Sequence, residues 1–271
     1  MKSAIHVRFK EEEPYEKISP FIKFKDRFKI RCTGEEIIKD FNTKIKYTEI
    51  PQNINVEAYK YNIVRTFDRF KEDNSLLCPS GKRNYDYNFL NEFQKKLFAF
   101  SVVESIKLLL FKSHKSIRSA NILIDDGSKK ENRYIVEELA KEARNIIILT
   151  KRSSRIEKLR EYIISNYGAV IQVIHEEESM KSIDFVISSE DKVYNLNNVW
   201  YLDNFYKPNK DGIYVNNVGF KVPWESSLEF YPPELLGGIL NVGKKESIRD
   251  ILRKNDIMLE QISFNSKDIV I

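Results

Sequence analysis

Glycine, cysteine and histidine are all scarce in this chain, and each scarcity excludes a class of site. Two cysteines, Cys32 and Cys78, are too few for a disulfide framework and have no metal-ligand spacing, which favours a reducing cytoplasm. Three histidines give little support to a histidine-based metal site or a catalytic triad, so we expect no bound metal. The nine glycines form neither a G-x-S-x-G turn nor a phosphate-binding P-loop.

The chain also lacks a long apolar run. Its first residues pass directly into charged ones without an apolar signal region, and the longest apolar stretch, 97–111, is interrupted by Glu104 and Lys107. We therefore expect a cytoplasmic protein without a membrane partner. A hydrophobic fraction of 42% is enough for a sizeable core.

Charge is distributed unevenly along the chain. Residues 1–118 contain 24 Lys and Arg against 16 Asp and Glu, whereas residues 119–271 contain 21 against 24. The first part is thus basic and the second mildly acidic. An anionic partner is expected to meet the first part, although an unknown protein partner and an oligomer both remain compatible with the sequence.

Four short β-branched runs separated by helical patterns lie between residues 120 and 189. Such an alternation predicts a parallel sheet covered by helices on both faces, which is a Rossmann-like, doubly wound α/β fold. The runs are 121–124, 146–149, 170–174 and 185–187.

A small α+β domain with an antiparallel sheet is predicted to precede this layer. Apolar and basic residues alternate over 22–31, which as a strand would place five cations on one face, about 6.5 Å apart. This spacing is close to the phosphate repeat of a nucleic-acid strand, although a solvated sheet face has the same pattern. The five cations are Lys23, Lys25, Arg27, Lys29 and Arg31.

The domain division follows from these patterns. We predict a basic α+β domain over 1–86, a connecting helix over 87–118 and a Rossmann-like domain over 119–225. Residues 226–271 are predicted to form a helical segment that packs back on the core.

The turn after the first parallel strand lacks the usual glycines. In the dinucleotide fingerprint G-x-G-x-x-G, glycines allow a tight turn and close approach of the backbone to a diphosphate. When the motif is aligned on Gly127, Asp125 takes the first glycine position and Lys130 the third. A carboxylate there would repel a diphosphate, although cations in the turn can contact phosphate directly. The phosphate-contacting candidates are Gly127, Ser128, Lys129 and Lys130.

The segment after the second parallel strand is basic and rich in hydroxyls. An NAD-binding domain places a carboxylate near this point, whereas an NADP-binding domain places cations and hydroxyls around the 2′-phosphate. An exposed, basic helix start has the same composition. The candidates are Thr150, Lys151, Arg152, Ser153 and Arg155.

Residues 98–189 resemble the nucleotide-binding domain of glutamyl-tRNA reductase and shikimate dehydrogenase. A helix containing 103–106 precedes the first strand, and residues 184–189 match the pattern Asp-hydrophobic-Val-Ile-Ser-Ser of the fourth. The resemblance covers about a third of the chain and implies an NAD(P)-binding fold. One family uses a cysteine nucleophile and the other a Lys–Asp pair, but neither Cys32 nor Cys78 lies in a matching motif, so no catalytic role is transferred.

Three functions remain open from the sequence. The first is a divergent, non-catalytic Rossmann-fold binding or assembly protein that has lost or altered dinucleotide binding. The second is an NADP-dependent oxidoreductase, and the third is a nucleic-acid-binding protein that uses the basic N-terminal sheet. The cofactor is accordingly either none or NADP.

Overall fold

In the computed structural model, three β-sheets and eight α-helices occupy the described residues. These are residues 1–129, 132–152, 154, 156–176, 182–195, 198–206, 208, 212–241, 246–265 and 267–269.

A four-stranded sheet and two helices form the N-terminal part. The strand order is β2-β3-β1-β4, in which β1 pairs parallel with β3 and β4, and only β2 and β3 are antiparallel. The small sheet is therefore mixed. It is parallel at its centre because the connections between these strands carry helices. The elements are β1 (Lys2–Phe9), α1 (Pro20–Lys29), β2 (Arg31–Ile38), β3 (Thr43–Ile50), α2 (Val56–Phe70) and β4 (Ser75–Pro79).

The basic strand predicted over 22–31 is wrong, because most of this segment is helix α1. The Ser19 side chain accepts a hydrogen bond from the Ile22 amide at 3.1 Å, and Pro20 occupies the first helical turn. This cap and the fixed φ of proline specify a helix start that outweighs the period-two alternation. Lys23, Lys25, Arg27 and Lys29 consequently lie on a helix, and Arg31 begins β2.

A long helix connects this part to the parallel sheet. After the short helix α3 (Arg83–Asp86), α4 (Glu92–Lys112) begins with a capping box in which Asn91 and Gln94 exchange side-chain-to-backbone hydrogen bonds. Twelve of its 21 residues are buried, so it is a core helix rather than an amphipathic surface helix.

The six-stranded sheet confirms the predicted fold class. All its strands are parallel in the order β10-β9-β8-β5-β6-β7, which is the order typical of the Rossmann fold. Helices α4 and α5 contribute to the apolar cluster on one face. The elements are β5 (Asn121–Asp125), α5 (Asn132–Glu142), β6 (Asn145–Leu149), α6 (Glu157–Tyr167), β7 (Val170–Ile174), β8 (Phe185–Ser188), β9 (Asn198–Tyr201) and β10 (Ile213–Val215).

Among the C-terminal elements, helix α7 (Pro233–Leu240) packs between the N-terminal sheet and α4. Helix α7 is buried along its whole length, and Gly237 and Gly238 allow this close packing. A Cβ atom at Gly237 would lie 2.9 Å from Cα of Gln94, and a Cβ atom at Gly238 would lie 2.5 Å from Sγ of Cys78. The division of the chain at residues 86, 118 and 225 stays a prediction. The elements are β11 (Asn217–Lys221), α7 (Pro233–Leu240), α8 (Ile248–Lys254), β12 (Met258–Phe264) and β13 (Lys267–Asp268), and the three strands form an antiparallel sheet.

Among the described residues, no helix is both long and apolar enough to cross a bilayer. The same part of the chain contains no cluster of three or more His, Cys, Asp or Glu side chains arranged to hold a metal ion.

Candidate functional site at the carboxyl edge of the parallel sheet

A cleft of about 680 Å³ lies at the carboxyl ends of the parallel strands. Its walls come from the ends of β5, β6 and β7 and from the loop after β8, and β5 and β8 are the neighbours between which the sheet order reverses. Ligands of open α/β sheets bind at this switch point. The cleft is therefore the first candidate for a binding site.

The turn after β5 differs from a dinucleotide-binding turn in backbone as well as sequence. Strand β5 ends at Asp125, Asp126 has a left-handed φ of 46°, and α5 begins only at Asn132. In the dinucleotide fingerprint the glycine-rich turn opens the helix directly, so that the helix N-terminus faces the diphosphate. Here several residues separate the strand from the helix.

Gly127 has a packing role in this turn. A Cβ atom at this position would lie 2.6 Å from Cγ2 of Ile148, which is too close for any other residue unless the Ile148 side chain moves. Ser128 donates a hydrogen bond to a carboxylate oxygen of Asp126 at 2.7 Å. Gly127, Ser128 and Lys129 line a separate cavity of about 400 Å³ beside α5 and α6 rather than the main cleft.

The carboxylate of Asp125 is buried and paired within the protein. The Tyr194 hydroxyl donates a hydrogen bond to Oδ2 of Asp125, and Nζ of Lys192 lies 2.7 Å from the same oxygen. Burial, followed by the charge of Asp125, raises the pKa of Tyr194, so the phenol stays protonated and acts as donor. Asp125 therefore acts mainly as an anchor for the segment after β8, and its charge is offset by Lys192.

Two further bridges cross from the β5–α5 turn to the segment after β8. Nζ of Lys129 contacts the Glu190 carboxylate and lies 3.4 Å from the carbonyl oxygen of Ser189. The buried Asn132 amide donates to the Ser189 hydroxyl at 3.0 Å and to the carbonyl oxygen of Asp126 at 3.0 Å. Lys129, a predicted phosphate contact, is thus held by a carboxylate of its own chain.

The rim of the cleft at the end of β6 keeps the predicted basic character. Thr150 is buried, and its hydroxyl accepts a hydrogen bond from the Arg152 amide at 3.1 Å. Its carbonyl oxygen lies 2.8 Å from Nδ1 of His175, which ties the ends of β6 and β7 together. Lys151 and Arg152 are exposed and line the cleft. Lys130, Ser153 and Arg155 lie outside the described residues.

Carboxylates outnumber cations on the described walls of the cleft. Burial, followed by the charge of the neighbouring Asp203, raises the pKa of Asp191. A ligand with two adjacent phosphate charges would meet this field. The lining carboxylates are Asp125, Asp126, Glu176, Glu190 and Asp191, and the lining cations are Lys151, Arg152 and Lys192.

The five predicted surface cations do not form a row. Nζ of Lys29 lies 3.2 Å from a Glu12 oxygen, the Arg31 guanidinium lies 2.8 Å from Glu49, and Lys23 lies 5.7 Å above the Tyr61 ring. Lys25 and Arg27 are exposed on α1.

Sequence reasoning missed a group of buried polar residues where the N-terminal part meets the C-terminal elements. Arg83 pairs with Glu234 (Nε–Oε1 2.9 Å), and the Tyr59 hydroxyl donates to Asp86 at 2.5 Å. The partners are far apart in the chain, and no local motif marks them. A buried Arg requires a partner for its charge. The burial of Arg83 is therefore the one feature that could have indicated this group.

We expect Asp86 to make stability depend on pH near neutrality. Burial raises the pKa of Asp86 from about 3.8 to about 8. Between these two pH values the folded protein keeps a proton that the unfolded chain loses, so the free energy of unfolding falls as pH rises. Burial lowers the pKa of His6 to about 4, which has the opposite effect up to pH 6.5. Among the described groups, Asp86 therefore dominates the pH dependence of stability from pH 6.5 to 8, by up to about 1.4 kcal/mol per pH unit.

Urea unfolding at half-unit steps from pH 6.5 to 8 measures this slope. Asp86→Asn retains an acceptor for Tyr59 and should remove the slope. An equal slope in the wild type and the variant would show that another group titrates.

The strand order and the switch-point cleft define a Rossmann-like protein. No protein-family model and no curated protein matches the chain. Among solved structures, a ligand-free 5-ketofructose reductase from Gluconobacter sp. strain CHM43 is similar over 70% of each chain, with 11% identity and a TM-score of 0.34. An L-tryptophan dehydrogenase from Nostoc punctiforme matches 70% of this chain at 11% identity and a TM-score of 0.31, and the match covers 57% of its own length.

At such low TM-scores and identities, neither likeness carries an argument about activity. The particular resemblance to glutamyl-tRNA reductase and shikimate dehydrogenase stays a prediction.

Proposed function

We propose that this chain is a non-catalytic Rossmann-fold binding or assembly protein whose dinucleotide site has been altered. One observation carries the proposal. The crevice between the β5–α5 turn and the segment after β8, where a diphosphate lies in dinucleotide-binding members of this fold, is bridged by the protein's own side chains. The bridges are Lys129–Glu190, Asn132–Ser189 and the contacts of Tyr194 and Lys192 with Asp125.

A diphosphate in this crevice would have to displace these bridges. Separating Lys129 from Glu190 leaves a carboxylate facing the phosphates, and a partly exposed ion pair of this kind is worth up to about 1 kcal/mol. Losing the Ser189 contact removes a partner from the fully buried Asn132 amide, at a further cost of about 1–3 kcal/mol. Together these terms, about 1–4 kcal/mol, would weaken dinucleotide binding by roughly fivefold to a thousandfold.

The cleft itself remains open to a smaller ligand. Its volume of about 680 Å³ is within the range of small-molecule sites, and the Lys151–Arg152 rim lies away from the bridged crevice, on the β6 side. A ligand with one anionic group at this basic rim, such as a nucleoside monophosphate, could bind without entering the bridged crevice.

Calorimetric titration with NADPH and with NADH tests the proposal. We expect no saturable heat with either dinucleotide up to about millimolar concentration, because the diphosphate has no accessible site. A micromolar dissociation constant for either would contradict the proposal.

A second candidate function, an NADP-dependent oxidoreductase, is favoured by the exposed cations after β6. Lys151 and Arg152 follow a buried threonine where an NAD-binding domain would have a carboxylate. For this function, changing both to Ala would weaken NADPH binding at least about tenfold and leave NADH binding unchanged. Arg144 is an exposed cation just before the opposite end of β6, so Arg144→Ala is the matched control. Equal losses for both dinucleotides would remove this candidate.

A further inference from the structure

Helix α1 is oriented with its aromatic side outward and a carboxylate inward. Phe21, Phe24 and Phe28 are 72%, 57% and 72% exposed, whereas Asp26 is 1% exposed. Side chains three and four positions apart lie on the same side of a helix, so the three rings form one continuous stripe. Phe24 and Phe28 contact each other edge to face, with ring centroids 4.8 Å apart.

This orientation is fixed by polar contacts on the buried side. The Tyr15 hydroxyl donates to Asp26 at 2.6 Å, and the fully buried Asn53 amide donates to its other oxygen at 2.9 Å. Rotating the helix to bury its phenylalanines would expose or break this network. The outward aromatic stripe is therefore a built feature of the fold, and exposed apolar patches of this kind mark interaction sites.

The charges beside the stripe indicate what it contacts. Lys25 and Arg27 are exposed and project on opposite sides of the three rings, since they lie one position before and after Asp26 and face away from it. Asp26 is the only carboxylate within the helix, and it is buried. The helix therefore presents an apolar stripe flanked by two cations, which complements a partner with an apolar interior and a negative surface.

We infer that α1 docks on the surface of an anionic lipid bilayer, with Phe21, Phe24 and Phe28 in the interface and Lys25 and Arg27 at the headgroups. An interfacial helix has this distribution of residues, with aromatic side chains on one side and Lys or Arg beside them. The sequence predicts no membrane partner because it lacks a spanning segment. A helix that lies in the interface needs no such segment.

Two other occupants fit the observations less well. In a two-fold dimer through this stripe, Lys25 and Arg27 would face the same cations of the second copy. Single-stranded nucleic acid needs parallel ring faces along a basic groove, whereas Phe24 and Phe28 stand edge to face on a convex helix.

Flotation with lipid vesicles tests the inference. The full chain is mixed with vesicles of phosphatidylcholine alone or with about 30 mol% phosphatidylserine at low salt. We expect binding to the anionic vesicles, weakened by high salt, and at least about a tenfold loss of partitioning in Phe21→Ser/Phe24→Ser/Phe28→Ser. Phe111→Ser, which removes a 79% exposed phenylalanine at the end of α4, should bind like the wild type.

A charge-reversed variant and two alternative ligands complete the experiment. Lys25→Glu/Arg27→Glu keeps the rings and should lose binding to anionic vesicles by about fivefold per cation or more. Because the changed side chains are exposed, the melting temperatures of both variants should stay close to that of the wild type. If either the triple Phe→Ser variant or the charge-reversed variant fails to fold, the other decides the outcome. No binding of the wild type to anionic vesicles, or unchanged binding of both variants, would overturn the inference. The inference would also be overturned if the protein did not bind vesicles but self-associated, or bound an oligothymidylate, through the three rings.

Discussion

Changing Arg83 to Met is expected to lower the free energy of unfolding by about 3–5 kcal/mol. Arg83 is 5% exposed and pairs with Glu234, which is 1% exposed, so the variant leaves a buried carboxylate without its counter-charge. The guanidinium also donates to the carbonyl oxygen of Asn216 and to the Asn217 side chain, and it lies 5.0 Å from the Phe98 ring. These contacts join the N-terminal part to α4, α7 and the start of β11.

Urea unfolding at pH 7 measures the loss from Arg83. The double variant Arg83→Met/Glu234→Leu is the informative control, because replacing both members of a buried ion pair by apolar side chains is often close to neutral. It should recover most of the lost stability. A loss below about 1 kcal/mol in the single variant would show that water reaches Glu234 and that the junction is not dry.

Changing Trp200 to Ala is expected to cost about 3–5 kcal/mol of unfolding free energy. Trp200 lies on β9, is fully buried, and packs edge to face with Phe98 at a ring-centroid distance of 5.8 Å. Its Nε1 donates to the Ser105 hydroxyl on α4 at 3.0 Å. The substitution removes the ring from the layer between the parallel sheet and α4 and leaves a cavity that these rigid elements cannot close.

Trp200→Phe separates the ring from its hydrogen bond. It keeps most of the apolar volume but leaves the Ser105 hydroxyl without this donor, so the expected loss is only about 1–2 kcal/mol. Thermal or urea unfolding of both variants gives the comparison. Equal losses in the two variants would mean that the hydrogen bond, and not the packing, dominates at this position.

The parallel sheet was predictable because its strands are marked locally. Runs such as Ile146–Leu149 are short, β-branched and separated by helical patterns, and a strand buried on both faces requires such a run. Helix α1 was mispredicted although its start signals, Ser19 and Pro20, are in the sequence. Its exposed phenylalanines reverse the usual inward orientation of apolar residues, so the pattern looked like a strand with one apolar face.

The candidate site was predictable in its position but not in its contacts. Asp125 and the basic segment after β6 mark the switch point, since the strand order alone brings them to one edge of the sheet. The partners of Asp125, Lys192 and Tyr194, come from a segment far along the chain that has no local pattern. Whether a turn with a single glycine is open or bridged depends on such distant residues, which no motif describes.

The proposed function depends on the bridged crevice, and a crystal structure grown with millimolar NADPH shows whether that crevice stays closed. We expect Lys129 to stay on Glu190 and Asn132 on Ser189, with no dinucleotide density between them and the Asp126–Gly127 turn. Density for a dinucleotide with its diphosphate against the amides of that turn, and with Lys129 released from Glu190, would show that the crevice does bind dinucleotides.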